Sequence, residues 1–212
     1  MARITRKTAA AIFLSFLFFT AFVVFTHIVR RDVLNQFDFD ATVRIQNHVP
    51  RRLDTFFSFL SLLGSFESLG TILLILLILR RRIIGIFVAG AFIGGHVIEV
   101  IGKSFLHHTG PPYMFFRYDL DFLFPSAYVQ PGSSYPSGHS FRTVFMAVVA
   151  IELIYRSKVM KPVVKAIASA AILAFVFLVL LSRVSLGEHW STDVVGGSLL
   201  GLSLGILSVV FL

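Results

Sequence analysis

Apolar residues form six long runs along the chain, and shorter polar segments separate them. A helix needs about 20 apolar residues to cross the hydrocarbon core of a membrane, and most of these runs approach that length. The second run is the least regular, because Gly64, Ser65 and Glu67 interrupt its apolar character. The pattern predicts an all-α fold, a polytopic bundle of six transmembrane helices in a single domain covering residues 1–212. The predicted spans are about 9–29, 55–79, 83–102, 141–155, 162–182 and 193–212.

Composition places the chain among integral membrane proteins. Hydrophobic residues make up 56% of the 212 residues, phenylalanine alone accounts for 24 positions, and the mean hydropathy is +0.85. A soluble domain of this length does not need so much apolar surface. The lack of cysteine excludes disulfide bonds and thiolate catalysis. The formal net charge of +8 is spread in short groups between the apolar runs, which is typical of loops beside membrane helices, so we expect no nucleic-acid partner.

The basic groups also predict the orientation of the chain. They lie at the N-terminus, at 80–82 and at 156–165, and cytoplasmic loops carry an excess of lysine and arginine. We therefore expect these segments on the cytoplasmic side of a bacterial cytoplasmic membrane. The loop 103–140 and the segment after residue 182 then lie on the extracytoplasmic side. We interpret residues 30–54 as a connector along the interface, with a lid as the alternative.

Strong polar residues gather on the predicted extracytoplasmic side, next to apolar spans. Such groups cost free energy beside a membrane, so they indicate a functional site. They form two motifs, the first made of Pro136, Ser137, Gly138 and His139 and the second of Ser182, Arg183, His189 and Asp193. Lys103 is a single cation that precedes both motifs. In this order and spacing they resemble the motifs of the type 2 phosphatidic acid phosphatase superfamily, which includes integral membrane lipid phosphate phosphatases.

Two of the three motifs of that family match completely. Residues 136–139 match Pro-Ser-Gly-His, and residues 182–193 match Ser-Arg, five residues, His, three residues, Asp. The remaining motif is Lys, six residues, Arg-Pro, and here Gly110 stands where the family has arginine. A charge-assisted contact from arginine to phosphate contributes about 1.5 to 3 kcal/mol. Arg117, in the same loop, and Arg142, one helical turn beyond the second motif, are the candidates to compensate for its loss.

The resemblance implies a phosphohistidine mechanism that needs no metal and no other cofactor. His189 is then the nucleophile, Asp193 orients its imidazole, and His139 protonates the departing alcohol. A spacing of four residues places His189 and Asp193 on one helix face, where the carboxylate can accept a proton from one ring nitrogen. The phosphoryl oxygens are held by the side chains of Lys103, Arg183 and Ser137 and by the backbone amide of Gly138.

We therefore expect a membrane phosphatase that hydrolyses a lipid phosphate or diphosphate, such as undecaprenyl diphosphate, phosphatidylglycerol phosphate or phosphatidate. Its partners are the lipid substrate and the bilayer, and we infer no obligatory protein partner. Two alternatives stay open: a lipid phosphotransferase of the same superfamily, and a catalytically silent lipid-binding homologue. Among the other polar residues, we interpret His107 and His108 as loop residues near the entrance, and His96 with Glu99 as an internal hydrogen bond.

Overall fold

The computed structural model describes residues 5–80, 85–124 and 132–212, and every regular element in these ranges is helical. The α-helices are α1 (Arg6–Val29), α2 (Asn35–His48), α3 (Asp54–Leu63), α4 (Phe66–Arg80), α5 (Gly85–Phe105), α6 (Gly138–Arg156), α7 (Pro162–Ser185) and α8 (Ser191–Val209). Short 3-10 helices occupy Arg51–Leu53 and Tyr113–Phe115. The prediction of an all-α fold is confirmed.

Five of these helices, α1, α5, α6, α7 and α8, are long and apolar enough to cross a membrane. A bent pair of helices, in which Arg51–Leu63 and Phe66–Leu79 meet at an angle of 46°, is the candidate for a sixth span. The expectation of one continuous run over 55–79 therefore needs correction. The helix ends before Gly64, and the Ser65 hydroxyl accepts a hydrogen bond from the backbone N–H of Ser68, which caps the start of α4.

The loop that we expected over 103–140 is shorter, because helices continue into it from both sides. Lys103 lies in the last turn of α5, and His139 lies in the first turn of α6. Arg183 likewise lies in the last turn of α7. A residue in a terminal helical turn keeps its backbone within the helix while its side chain extends from the helix end. The helices therefore fix the positions of these three groups.

Helix α8 packs closely against α6 along a row of glycines. A Cβ atom added at Gly197 would lie 2.2 Å from the carbonyl oxygen of Ser137, and one added at Gly201 would lie 2.6 Å from that of Phe141. No larger residue fits at either position without moving the helices apart. Glycines in the last span allow this close contact, and it brings the second and third motifs together.

Helix α2 is docked on the bundle, which differs from the plain connector that we expected for residues 30–54. Asp38 and Thr42 on this helix are buried. The Asp38 carboxylate accepts hydrogen bonds from the backbone N–H of Thr192, at 2.9 Å, and from the Thr192 hydroxyl at the start of α8. Burial raises the pKa of Asp38, and the two bonds from Thr192 oppose that rise. Two turns further along the same side of α2, Gln46 donates to the carbonyl of Ser185 at 3.0 Å.

The ends of α5, α7 and α1 and the beginnings of α6 and α8 meet at one end of the bundle. Direct contacts join them: the backbone N–H of Ser137 donates to the carbonyl of Asp193 at 3.0 Å, and that of Arg117 donates to the carbonyl of Leu186 at 2.9 Å. Arg81 and Arg82, two of the basic residues that predict the orientation of the chain, lie outside the described residues. The cytoplasmic placement of the opposite end stays a prediction.

Candidate active site

His189 and Asp193 form a buried pair at the start of α8. His189 Nδ1 lies 3.3 Å from Asp193 Oδ2, and the same oxygen accepts a hydrogen bond of 2.9 Å from the backbone N–H of Trp190. The Asp193 side chain is fully buried and His189 is 5% exposed. When Nδ1 donates to the carboxylate, Nε2 carries the free lone pair of the ring. The pair is therefore arranged to present a nucleophilic nitrogen.

The second motif begins α6 and is fixed to α8. The Ser137 hydroxyl accepts hydrogen bonds from the backbone N–H of Ser140, at 3.4 Å, and from its hydroxyl, at 3.0 Å, so it serves as the helix cap. His139 follows in the first turn and is partly buried. The bend between α3 and α4 lies beside it, since a Cβ atom at Gly64 would be 3.3 Å from His139 Cδ2. The backbone N–H groups that begin α6 have no partner within their own helix and suit an anion.

Arg183 is buried at the end of α7, and its donors already have partners. Its Nε and Nη2 atoms lie 3.3 and 3.1 Å from the Ser182 hydroxyl, and Nη1 forms an ion pair with Glu188. The turn after α7 depends on Gly187, whose φ is +67°. A Cβ atom there would also lie 2.1 Å from the carbonyl oxygen of Phe115. This turn carries the chain from Arg183 to His189.

One cavity of about 330 Å³ connects the second and third motifs. It is lined by His139, Arg183 and His189, by Glu188, and by Gly110, Pro111, Phe116, Leu123 and Gly187. Two imidazoles and a guanidinium therefore face one space. Gly110 lines the cavity as well. The position at which the phosphatase family has arginine therefore lies at the same site.

Lys103 is not among the residues that line this cavity and lies in a buried cluster of charges around Glu99. Lys103 Nζ is 3.0 Å from Glu99 Oε1, while Arg142 Nη1 and His96 Nδ1 lie 2.7 and 3.0 Å from Oε2. The expected internal hydrogen bond between His96 and Glu99 is confirmed. A Cβ atom at Gly138 would lie 2.0 Å from Glu99 Oε1, so glycine at this position is what allows the cluster to approach the motif. A buried carboxylate with three cationic or polar partners is satisfied electrostatically.

Both arginines proposed as compensating groups have ion-pair partners. Arg117 Nη2 lies 2.9 Å from Asp54, and its Nη1 donates to the backbone carbonyls of Gln46 and Val49 at 3.3 Å. Arg142 is engaged with Glu99. Neither arginine is among the residues that line the cavity. Compensation for Gly110 stays a prediction.

Two residues near the nucleophile were not recognised from the sequence. His108 is buried, with Nε2 3.4 Å from Asp193 Oδ1, so it is more than the loop residue that we expected. Its backbone is held by Ser134, whose N–H donates to the His108 carbonyl at 2.9 Å. The second of these residues is Glu188, which forms an ion pair with Arg183. In the sequence, the only signal for either is its proximity to a motif.

His107 is exposed and lines a separate cavity of about 450 Å³ beside α2. Among the described residues, no group of three histidine, aspartate or glutamate side chains is arranged to hold a metal ion.

Comparison with known proteins places this geometry in a family. Residues 83–212 match the model of the PAP2 superfamily. The structure of a transmembrane PAP2 type phosphatidylglycerolphosphate phosphatase from Bacillus subtilis has a similar fold, with a TM-score of 0.75 and 20% identity over 92% of this chain and 94% of that one. LpxE from Aquifex aeolicus has a TM-score of 0.58 and 28% identity over 80% of this chain and 93% of its own. No significant match was found among curated protein sequences.

The family match covers more than half of the chain and contains every residue of both complete motifs. The arrangement of the helices agrees with it, since two membrane phosphatases of known structure share the fold. The chain therefore belongs to the PAP2 superfamily and is a membrane enzyme of the lipid phosphatase type.

Proposed function

We propose that this phosphatase hydrolyses a lipid phosphate or diphosphate through a phosphohistidine at His189, on the extracytoplasmic face of a bacterial cytoplasmic membrane. The observation that carries the proposal is the single cavity into which His139, Arg183 and His189 project. A nucleophile, a general acid and a phosphate-binding cation around one space are the groups that phosphoryl transfer requires.

In the first step, His189 Nε2 forms a bond to phosphorus while the bond from phosphorus to the lipid oxygen breaks. His139, in its protonated form, gives its proton to that departing oxygen, and the lipid leaves as an alcohol or, from a diphosphate, as a monophosphate. Asp193 accepts the hydrogen bond from Nδ1 of His189 and stabilises the positive charge that develops on the ring. Its burial keeps this contact away from water.

In the second step, water attacks the phosphohistidine, the bond between phosphorus and Nε2 breaks, and His139 takes the proton of the attacking water. Inorganic phosphate then leaves. Arg183 and the backbone N–H groups at the start of α6 stabilise the charge on the five-coordinate phosphorus in both steps. Lys103, which is 3.0 Å from Glu99, adds positive charge near the site.

The position of the cavity at the end of an apolar bundle favours a substrate that stays in the bilayer. Phe116 lines the cavity together with Leu123, and both offer apolar contact to a lipid chain. Phosphatidylglycerol phosphate is one candidate substrate, since the similar Bacillus subtilis structure is that of a phosphatidylglycerolphosphate phosphatase. Undecaprenyl diphosphate and phosphatidate are the others.

Phosphate release from a panel of these lipids by the purified protein tests the proposal. We expect release that resists EDTA, is inhibited by vanadate and falls about 10³-fold or more in His189→Ala. His48→Ala, a change in an exposed histidine of α2, is the matched control and should keep the parental rate. Rapid acid-free quenching after addition of a labelled lipid should recover the label on His189, in an alkali-stable and acid-labile bond.

The same experiment separates the alternatives. Label recovered in a second lipid instead of inorganic phosphate would favour a phosphotransferase. Binding of a lipid phosphate without release would favour the silent homologue. Release that continues unchanged in His189→Ala would rule out the proposed nucleophile.

A further inference from the structure

We propose that Glu188, together with the glycine at position 110, makes the cavity select phosphate monoesters against diphosphates. The inference rests on the proposed function and narrows its substrate class. Glu188 comes immediately before the nucleophile in the sequence, and its carboxylate lies in the cavity as the ion-pair partner of Arg183.

The charges that line the cavity are few. Arg183 is the one permanent cation among the described lining residues, and Glu188 is the one carboxylate. Lys103 is not among the residues that line the cavity and is paired with Glu99. The two histidines add positive charge only when they are protonated. With His139 protonated as the general acid, Arg183 and His139 against Glu188 leave the lining with a net charge of only +1.

The remaining nearby cations are engaged elsewhere. Arg117 is in an ion pair with Asp54, and Arg142 is in one with Glu99. The loop residues 125–131, which lie outside the described ranges, have the sequence Pro-Ser-Ala-Tyr-Val-Gln-Pro and contain no charged side chain. The described lining residues thus provide no second permanent cation for an additional phosphate.

A phosphate that reaches Arg183 meets the Glu188 carboxylate. Two of the guanidinium nitrogens face the Ser182 hydroxyl and the third faces Glu188, so the terminal phosphoryl group must displace this carboxylate or bind beside it. Glu188 is 19% exposed whereas Arg183 is fully buried, so the carboxylate is the partner that can move to solvent. A phosphate monoester carries a charge of about −1.5 to −2 near neutral pH.

A diphosphate places its second phosphate on the lipid side of the reacting phosphorus. Gly110 has no side chain to meet that phosphate, and the displaced Glu188 adds a like charge near it. Like charges in a partly enclosed space repel more strongly than in bulk water. The same carboxylate is tolerated by a monoester, because its leaving group is an uncharged alcohol.

Two substrates with the same lipid test the inference. For farnesyl phosphate and farnesyl diphosphate, we expect the parent to have a kcat/KM about tenfold or more higher for the monophosphate. Glu188→Gln removes the charge and keeps the shape, and it should reduce this preference about threefold to tenfold, chiefly by raising kcat/KM for the diphosphate. Glu152→Gln is the control, since Glu152 is paired with Arg156 at the opposite end of the bundle.

Binding of inorganic phosphate and pyrophosphate by the purified protein separates this inference from the proposed function. If neither lipid is hydrolysed, tighter binding of phosphate than of pyrophosphate, with a smaller difference in Glu188→Gln, would still support the inference. A parent that binds or hydrolyses the diphosphate form as well as the monophosphate form would overturn it. Equal effects of Glu188→Gln on both forms would overturn it as well, because Glu188 would then serve only to position Arg183. Failure to bind either anion would remove both proposals.

Discussion

Restoring the missing arginine, by Gly110→Arg, should increase the activity of this phosphatase. Gly110 lines the cavity together with His189 and Arg183, and its backbone is not in the left-handed region. A Cβ atom at this position would lie 3.4 Å from Ser134 Cβ and 3.9 Å from its hydroxyl oxygen, which are ordinary contact distances. The site therefore accepts a side chain, and a long one can extend along the cavity.

The size of the gain follows from the hydrogen bonds that the new guanidinium can make. A charge-assisted hydrogen bond contributes about 1.5 to 3 kcal/mol, which corresponds to about 10-fold to 150-fold in a rate or binding constant. Glu188 is the carboxylate in the same cavity and will compete with phosphate for the new cation. We therefore expect a gain of about tenfold in kcat/KM, at the lower end of that range.

The assay compares Gly110→Arg with two controls on the same lipid monophosphate. Gly110→Ala adds only the Cβ atom and should keep the parental kcat/KM. Gly110→Lys adds charge without the planar fork and should gain less than arginine. An arginine variant that folds, as judged by its thermal unfolding, but is no more active than the alanine variant would show that position 110 does not contact the substrate phosphate. A side chain at position 110 would then have a different role from the first-motif arginine of the family.

Three further predictions concern the surroundings of the site. If Arg117 or Arg142 compensates for the missing arginine, alanine at one of them should lower turnover about tenfold or more, and near-parental turnover in both variants would contradict the idea. Gly187→Ala should lower the thermal unfolding temperature and the activity, because the new Cβ atom stands on a backbone of positive φ and 2.1 Å from the carbonyl oxygen of Phe115. Gly90→Ala is the control and should be neutral, because no neighbouring atom lies within 4 Å of a Cβ atom there. The pKa of Asp38 is higher in the folded state than its ordinary value of 3.8. The protonated Asp38 side chain therefore stabilises the fold at low pH, and this stabilisation is lost as the pH rises from 3.8 through the folded pKa. Thermal unfolding between about pH 4 and 7 should therefore show a decline that Asp38→Asn removes, and an identical decline in both proteins would contradict this assignment.

The parts of the molecule that could be predicted from the sequence depend on local patterns. The apolar runs predict the spans because each helix satisfies its own backbone hydrogen bonds in lipid. The row of glycines in the last span predicts close packing, and Gly197 and Gly201 do lie against backbone carbonyls of α6 and its cap. The pairing of His189 with Asp193 agrees with their spacing of four residues, although His189 precedes α8 and the two do not share a helix face as we expected. In each case, the residues that decide the outcome are close together in the chain.

The parts that could not be predicted depend on contacts between distant segments. Arg142 and Lys103 share Glu99 although 39 residues separate the two cations in the sequence. Asp38 bonds to Thr192 across 154 residues, and this contact turns an expected connector into a docked helix. Polar residues at these positions are equally compatible with solvated faces. Only the packing of the helices decides which of them become partners.

Three carboxylates surround the site, and their burial indicates that they act differently. Asp193 is fully buried beside the nucleophile, and Glu99 is 4% exposed among its three partners, so neither can leave without exposing an unpaired charge. Glu188 is 19% exposed and pairs with Arg183 in the cavity itself. The substrate phosphate needs that same guanidinium, so Glu188 is the carboxylate that must yield when the substrate binds. Selection among phosphorylated lipids is therefore expected at Glu188, while Asp193 and Glu99 keep the nucleophile and Lys103 in place.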